Sequence, residues 1–281
     1  LNQATDLVDS GRYESSFRLV LVDEFQDVSH ARASLLKALT APPHHYLFAV
    51  GDDWQSINRF AGADVSVMTD FDEVFGDGQT LKLQETFRCP PSLASLASRF
   101  VSENPAQFDK EVRSRVGEPE QGSIQAFIAE DEDGIESLIE SYISQLYKRL
   151  ALKEITEEQN KSLLILGRYQ HNRPARLKSW QRNFGPFLHI EYSTIHAAKG
   201  LEADFVCIAP MNSGRYGFPS TIEDDPVLLL AMPHADDFPF AEERRLFYVA
   251  LTRAKRMVAL FAPKERRSQF FNTLVAWGIA V

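Results

Sequence analysis

Two stretches of this chain end apolar runs in side chains suited to a metal-bound phosphate. In "LVLVDEFQD" (19–27) the run stops at Asp23 and Glu24. In "FAVGDDWQS" (48–56) it stops at Gly51, Asp52 and Asp53, with Gln55 close behind. Open α/β sheets take their ligands at the carboxyl ends of their strands, where these groups would lie. Asp23 is placed to hold Mg2+, a hard cation that shares oxygen ligands with phosphates. Glu24 is placed to polarise a water for attack on phosphorus. The plainer alternative is that both residues only cap a helix expected at 31–40. The second stretch shifts the balance, because two strands then deliver carboxylates and an amide to one sheet edge.

Holding those groups in place takes strands that alternate with helices. Apolar runs at 17–22, 45–50, 79–83, 123–128, 162–166, 187–192, 204–210 and 257–262 predict strands. Amphipathic stretches at 31–40, 90–103, 133–150, 171–183, 241–253 and 265–276 predict helices. Several of the strands are apolar nearly throughout, as expected when both faces of a parallel sheet are covered. The fold class is therefore α/β, with parallel sheets flanked by helices. Pro90 and Pro91, in "LQETFRCPPS" (83–92), start a new helix and mark a domain boundary. The stretches 104–122 and 211–240 predict surface connections, and "EDEDG" (130–134) a solvated turn before a helix.

Bulk properties narrow the function. The 281 residues are 44% hydrophobic, enough for a real core and against intrinsic disorder. Only Cys89 and Cys207 occur, far apart, which argues against disulfides and zinc and fits a reducing cytoplasm. No apolar run approaches a membrane span, and the first residues lack the pattern of a signal peptide. A net charge of −9 argues against a protein that binds nucleic acid with its whole surface. Such a role needs a local stripe. Arg168, His171, Arg173 and Arg176 form a basic patch that would serve, with a solvated helix face as the alternative.

Beyond these local signals, the chain resembles the superfamily 1 DNA helicases of the UvrD/Rep type. Besides "VDEFQD" and "GDDWQSINRFAGAD", the family's order continues through "LQETFRCP" (83–90), "STIHAAKGLEADFV" (193–206) and "EERRLFYVALTRAK" (242–255). The resemblance implies two RecA-like domains of the P-loop NTPase helicase fold. These are an incomplete first domain over 1–85 and a second over 86–281 without a large accessory insertion. It implies that Asp23 contacts Mg2+, that Glu24 is the general base, and that Gln55 senses the γ-phosphate of ATP. An amide suits that task because it both donates and accepts. Arg88 and Arg253 would face the γ-phosphate from the second domain, neutralising developing charge with a guanidinium fork. Phe87 would stack on adenine and Glu202 contact the ribose. Phe60 would stack on a base of single-stranded DNA, with a core phenylalanine as the alternative. Thr194 and His196 match positions near the DNA backbone, and Arg168 would add a phosphate contact.

The departures from the family pattern carry their own expectations. The phosphate-cradling G-x-x-x-x-G-K-[S/T] does not occur in the 281 residues. In the family that loop precedes the DEFQD strand, so the chain is expected to begin inside the first domain and to hydrolyse ATP negligibly alone. Phe87 stands where a tyrosine is usual, Asn58 replaces a tyrosine and Ala61 an arginine. The resemblance therefore implies part of an ATP-dependent helicase that moves 3′ to 5′ on single-stranded DNA. Its expected partners are ATP, Mg2+, single-stranded DNA and duplex junctions, and it is expected to be a cytoplasmic monomer away from membranes. Two other readings compete: a non-catalytic module that binds single strands or a protein, and an ATPase completed in trans by a chain that carries the loop.

Overall fold

The strands and helices fall into two units whose parallel sheets differ in how well they are covered. The computed structural model describes residues 1–120, 122–153, 161–229, 232–233 and 236–280. The first unit comprises Leu1–Leu83, Asn104–Lys110 and Asp224–Arg245, and the second Gln84–Glu103, Glu111–Glu223 and Leu246–Val281.

In the first unit, β1 (Leu19–Val22) and β2 (Tyr46–Ala49) pair in parallel, with Leu19 opposite Tyr46 and Leu21 opposite Phe48. Alternate residues point to opposite faces. One face packs Val22 and Ala49 against a small core of Phe25, Val28, Ala33 and Val67, joined by Phe71 and Phe75. The helix His30–Thr40 on this side is capped by Ser29, whose hydroxyl accepts from the Arg32 N–H. Asp23 and Glu24 are therefore not its cap, which removes the plainer alternative. The other face of the sheet is bare: Leu19, Leu21, Tyr46 and Phe48 are 53, 67, 62 and 57% exposed. The expectation that both faces of such strands are covered fails for β1 and β2.

In the second unit it holds. Two short strands, β3 (Glu85–Thr86) and β4 (Arg113–Ser114), pair beside the Pro91–Val101 helix. The main sheet is built from β5 (Ile124–Ala129), β6 (Lys161–Gly167), β7 (Leu188–Thr194), β8 (Ala203–Ile208) and β9 (Ala254–Pro263). Its order is β5-β9-β8-β6-β7, and every pairing is parallel. A core of Ile139, Tyr142, Ile143, Leu177 and Trp180, contributed by the Gly134–Lys153 and Leu177–Phe184 helices, packs on strand residues such as Leu163, Cys207 and Phe261. A second aromatic cluster joins Phe100, Phe218, Phe247 and Phe270, with the Phe247 and Phe270 rings stacked 5.7 Å apart.

Four expectations need correction. "QTLKL" (79–83) forms no strand; Leu81 and Leu83 are strongly exposed, and pairing falls instead on Glu85–Thr86. The helix expected from 171 starts at Leu177, because Arg173 precedes Pro174 and is held extended at ψ 122. The helix expected from 265 starts at Gln269, after Ser268, whose Oγ accepts from the Phe271 N–H. The 211–240 stretch is no simple surface connection, since Gly217, Phe218 and Pro219 are buried. Residues 230, 231, 234 and 235 of it lie outside the described residues.

Candidate nucleotide and DNA sites

In the first unit, hydrogen bonds tie the ends of β1 and β2 together. Phe25 N–H donates to Val50 O at 2.8 Å. Asp23 and Glu24 are exposed just beyond β1, and Asp23 Oδ1 accepts from the Glu24 N–H at 2.8 Å. Glu24 adopts a left-handed backbone, φ 50 and ψ 46. That conformation costs a non-glycine residue about 1 kcal/mol or more and persists only where its surroundings enforce it. The enforcing partner is Gln26, fully buried, whose Nε2 donates to Glu24 Oε2 while its Oε1 accepts from the Asp52 N–H at 2.9 Å. Asp52 Oδ2 in turn accepts from Gln55 Nε2 at 2.7 Å. Glu24, Gln26, Asp52 and Gln55 thus form one relay across the two strand ends.

Gly51 is required where these segments meet. A Cβ there would lie 2.7 Å from Gln26 Oε1 and 3.0 Å from the Phe25 nitrogen. Lys110 closes the other side, its ammonium reaching Asp52 at 2.5 Å and pairing with the buried Asp53. The Phe108 N–H donates to Asp53 Oδ2 at 2.9 Å. Sequence reasoning missed both Gln26 and Lys110. A glutamine between acidic residues just behind a strand was an available signal for the first; the contact of Lys110 is long-range and left none.

The carboxylates fit a magnesium site of the usual kind. Mg2+ takes one or two protein carboxylates and fills its remaining positions with water and phosphate oxygens. Asp23, exposed just beyond β1, offers one such carboxylate, which leaves the neighbouring Glu24 to a different role. Among the described residues no group of three or more His, Cys, Asp and Glu gathers as a metal cage. Phe60 follows at 63% exposure, so it is not a core residue. Its neighbour Arg59 is held by Asp224 and by Glu242, the latter at 3.2 Å.

The second unit carries the other expected nucleotide contacts. Arg88 Nε donates to Glu202 Oε2 at 3.1 Å, and Lys255 pairs with Glu202 Oε1. Lys255 first, then Arg88, hold the Glu202 carboxyl below the usual carboxylate range. Phe87 next to Arg88 is exposed. Arg253 differs, being only 2% exposed. Its Nε donates to Val249 O at 3.0 Å and its Nη1 to Leu201 O at 3.2 Å, the carbonyls that keep a buried guanidinium satisfied. Burial pushes the Cys89 thiol up to about 11, and the Cys207 thiol up as well, so neither is a nucleophile at neutral pH.

Arg168, Thr194 and His196 meet at the carboxyl edge of the five-stranded sheet, after β6 and β7. Ile195 N–H donates to Gly167 O at 3.0 Å, joining the two strand ends. Thr194 Oγ1 accepts from the Ala197 N–H. Burial first, then the charge of Arg168, depress the His196 imidazole to about 4, so it is neutral at physiological pH. It can offer DNA a hydrogen bond but no charge. Of the basic patch, Arg176 pairs with Glu140 at 2.8 Å, an ion pair that leaves both side chains partly exposed.

Residues 3–76 match the model of the UvrD/REP helicase N-terminal domain, and residues 175–264 that of the UvrD-like helicase C-terminal domain. The chain is 40% identical over 275 residues to DNA helicase IV of Escherichia coli, covering 98% of this chain and 38% of that protein. It is 32% identical over 127 residues to ATP-dependent DNA helicase UvrD1 of Mycobacterium tuberculosis H37Rv, covering 43% of this chain and 16% of that one. Over 118 residues it is 33% identical to ATP-dependent DNA helicase UvrD1 of Mycobacterium leprae, covering 38% of this chain and 15% of that protein. The chain therefore spans well under half the length of these relatives.

Proposed function

Because the chain belongs to the UvrD/Rep helicase family, we propose that it supplies the water-activating, phosphate-sensing and arginine parts of an ATP-driven DNA helicase. The relay Glu24–Gln26–Asp52–Gln55 carries this proposal. It holds a general-base carboxylate and a phosphate-sensing amide in one hydrogen-bonded unit, so a change at Gln55 is felt at Glu24. During hydrolysis Glu24 takes a proton from the attacking water, whose oxygen bonds to the γ-phosphorus as the β,γ-bridging oxygen leaves with ADP. Gln26 keeps the Glu24 carboxylate oriented. Mg2+ held by Asp23 neutralises phosphate charge when bound. Arg88 exchanges Glu202 for the γ-phosphate, and Arg253 is the second arginine proposed to face it.

The proposed work is translocation 3′ to 5′ on single-stranded DNA and unwinding of duplex junctions by a cytoplasmic monomer. Phe60, Thr194, His196 and Arg168 are the proposed DNA contacts, and Phe87 and Glu202 the proposed contacts to adenine and ribose. Since the 281 residues lack a phosphate-cradling loop, they are expected to turn over ATP negligibly alone. A non-catalytic binding module is disfavoured by Glu24, because such a module has no use for a carboxylate held in a left-handed conformation.

The test is Mg2+-dependent ATP hydrolysis by the purified chain, with and without single-stranded DNA, beside Glu24→Gln, together with strand binding by fluorescence anisotropy. Negligible turnover with measurable strand binding is expected. DNA-stimulated turnover that vanishes in Glu24→Gln would show that other residues grip the phosphates. A chain that binds no single strand would sink the helicase assignment.

A further inference from the structure

Beyond the family contacts, we propose that Tyr169, His171 and Tyr216 form a stacking platform for an unpaired base of single-stranded DNA, flanked by Arg168 and Arg215. The proposal rests on the DNA-binding role assigned above and extends it to residues that role does not use. Tyr169 and His171 follow β6, and Tyr216 lies in the segment after β8. These strands are direct neighbours, with Leu163 opposite Phe205 and Leu166 opposite Ile208. Both segments leave the carboxyl edge of the sheet, the edge at which such sheets bind ligands.

The rings are organised and open to solvent. Tyr169 and His171 stack with centroids 5.2 Å apart and planes 11° from parallel. Tyr216 stands edge-on to both, at 5.9 and 6.0 Å. The ring clusters of the second unit's core are filled by their own neighbours, whereas His171 is exposed and Tyr216 is 56% exposed. Arg168 Cζ lies 4.8 Å from the Tyr169 ring centre and Arg215 Cζ 5.8 Å from that of Tyr216.

The surroundings fix this arrangement in advance. Tyr169 Oη donates to Ser220 Oγ at 2.7 Å, and Ser220 Oγ donates to Arg215 O at 3.2 Å. The Tyr169 N–H donates to Asn172 Oδ1 at 2.8 Å, and the Tyr192 hydroxyl donates to Tyr169 O. The loop is anchored on its far side by Arg266 Nη2, which donates to Ser213 O at 2.9 Å. Charge favours a polyanion: residues 167–190 contain Arg168, Arg173, Arg176, Lys178 and Arg182 and no Asp or Glu, in a chain of net charge −9. Arg176 is paired with Glu140, so the positive excess of this stretch rests on the other four cations. Aromatic rings between cations suit a base of any identity on a phosphate backbone.

The experiment titrates fluorescein-labelled oligothymidylate, and an abasic strand of equal length, with the purified chain and its Tyr216→Ala, Tyr216→Phe and Arg168→Ala variants. Thermal melting confirms that each variant folds. Tyr216→Ala should weaken oligothymidylate binding at least about fivefold, the low end for one stacked base. Tyr216→Phe should match the unaltered chain, and on the abasic strand both Tyr216 variants should match it. Unchanged binding of Tyr216→Ala to oligothymidylate, or equal weakening on both strands, would overturn the platform. If Arg168→Ala weakens both strands while Tyr216→Ala weakens neither, only the platform falls. If the unaltered chain binds neither strand, the DNA-binding role falls with it.

Discussion

The two parallel sheets of this protein are written in nearly the same apolar alphabet, yet one is covered on both faces and the other on one. β6, β8 and β9 read as "SLLIL", "DFVCI" and "MVALFA", and residues on both of their faces are buried. β1 and β2, "LVLV" and "YLFA", leave Leu19, Leu21, Tyr46 and Phe48 in solvent. The first unit thus has a hydrogen-bonded network assembled at its strand ends while half of its sheet goes without packing. The second unit has its packing finished. Chemistry at strand ends needs short hydrogen bonds among a few residues, whereas the stability of a parallel sheet needs area, and the two need not be complete together.

The largest test of this contrast is truncation of a ring in each sheet. Phe261→Ala, at a fully buried position of β9, should cost about 3–5 kcal/mol of unfolding free energy by urea titration. Phe48→Ser, on the bare face of β2, should change stability by no more than about 0.5 kcal/mol. A core-sized loss at Phe48 would mean that its face is buried in solution.

Second in size is a pH effect confined to the second unit. The His196 pKa of about 4 lies below the ordinary value of 6.5. Between those values the unfolded chain binds a proton that the folded chain does not. Stability should therefore fall as pH is lowered from 6.5 toward 4, by about 2–3 kcal/mol, and level off below. His196→Gln should flatten that slope, and DNA binding by the unaltered chain should gain nothing from His196 between pH 7.5 and 6.

Next comes Gly51→Ala, which presses a methyl group on Gln26 and the Phe25 backbone. It should destabilise the first unit by about 1–3 kcal/mol and leave the melting of the second unchanged. The smallest effect is kinetic. Amide exchange in β1 and β2 should proceed by local opening, well before exchange in β8 and β9, which should wait for global unfolding. Equal protection in both sheets would erase the contrast.

Much of this was legible in the sequence, for physical reasons that also mark where legibility stopped. Seven of the eight expected strands formed, since apolar runs bounded by turn residues carry their own signal. "QTLKL" misled because its alternation of leucines looks like a strand, while the chain there has no partner in register. Asp23, Glu24 and Gln55 were legible as candidates because their types follow two strands, and the structure ties Asp23 to Glu24 and Gln55 to Asp52. Gln26 and Lys110 owe their positions to contacts across the fold, and Arg253 is held by one helix carbonyl and one loop carbonyl that no spacing reveals. The bare face of β1 and β2 was hidden for a different reason: apolar residues state that a face should be covered, not that it is.

The Arg88–Glu202–Lys255 cluster has a consequence for how a nucleotide would arrive. A guanidinium waiting alone would be quenched by any passing anion, but here a built-in carboxylate occupies it. Binding of a triphosphate at Arg88, as proposed, would then be an exchange of one anion for another, much as on a resin. The tethered occupant is held by half-exposed ion pairs worth about 0–1 kcal/mol each. A weak resident anion of this kind would give way to a polyvalent phosphate at little cost.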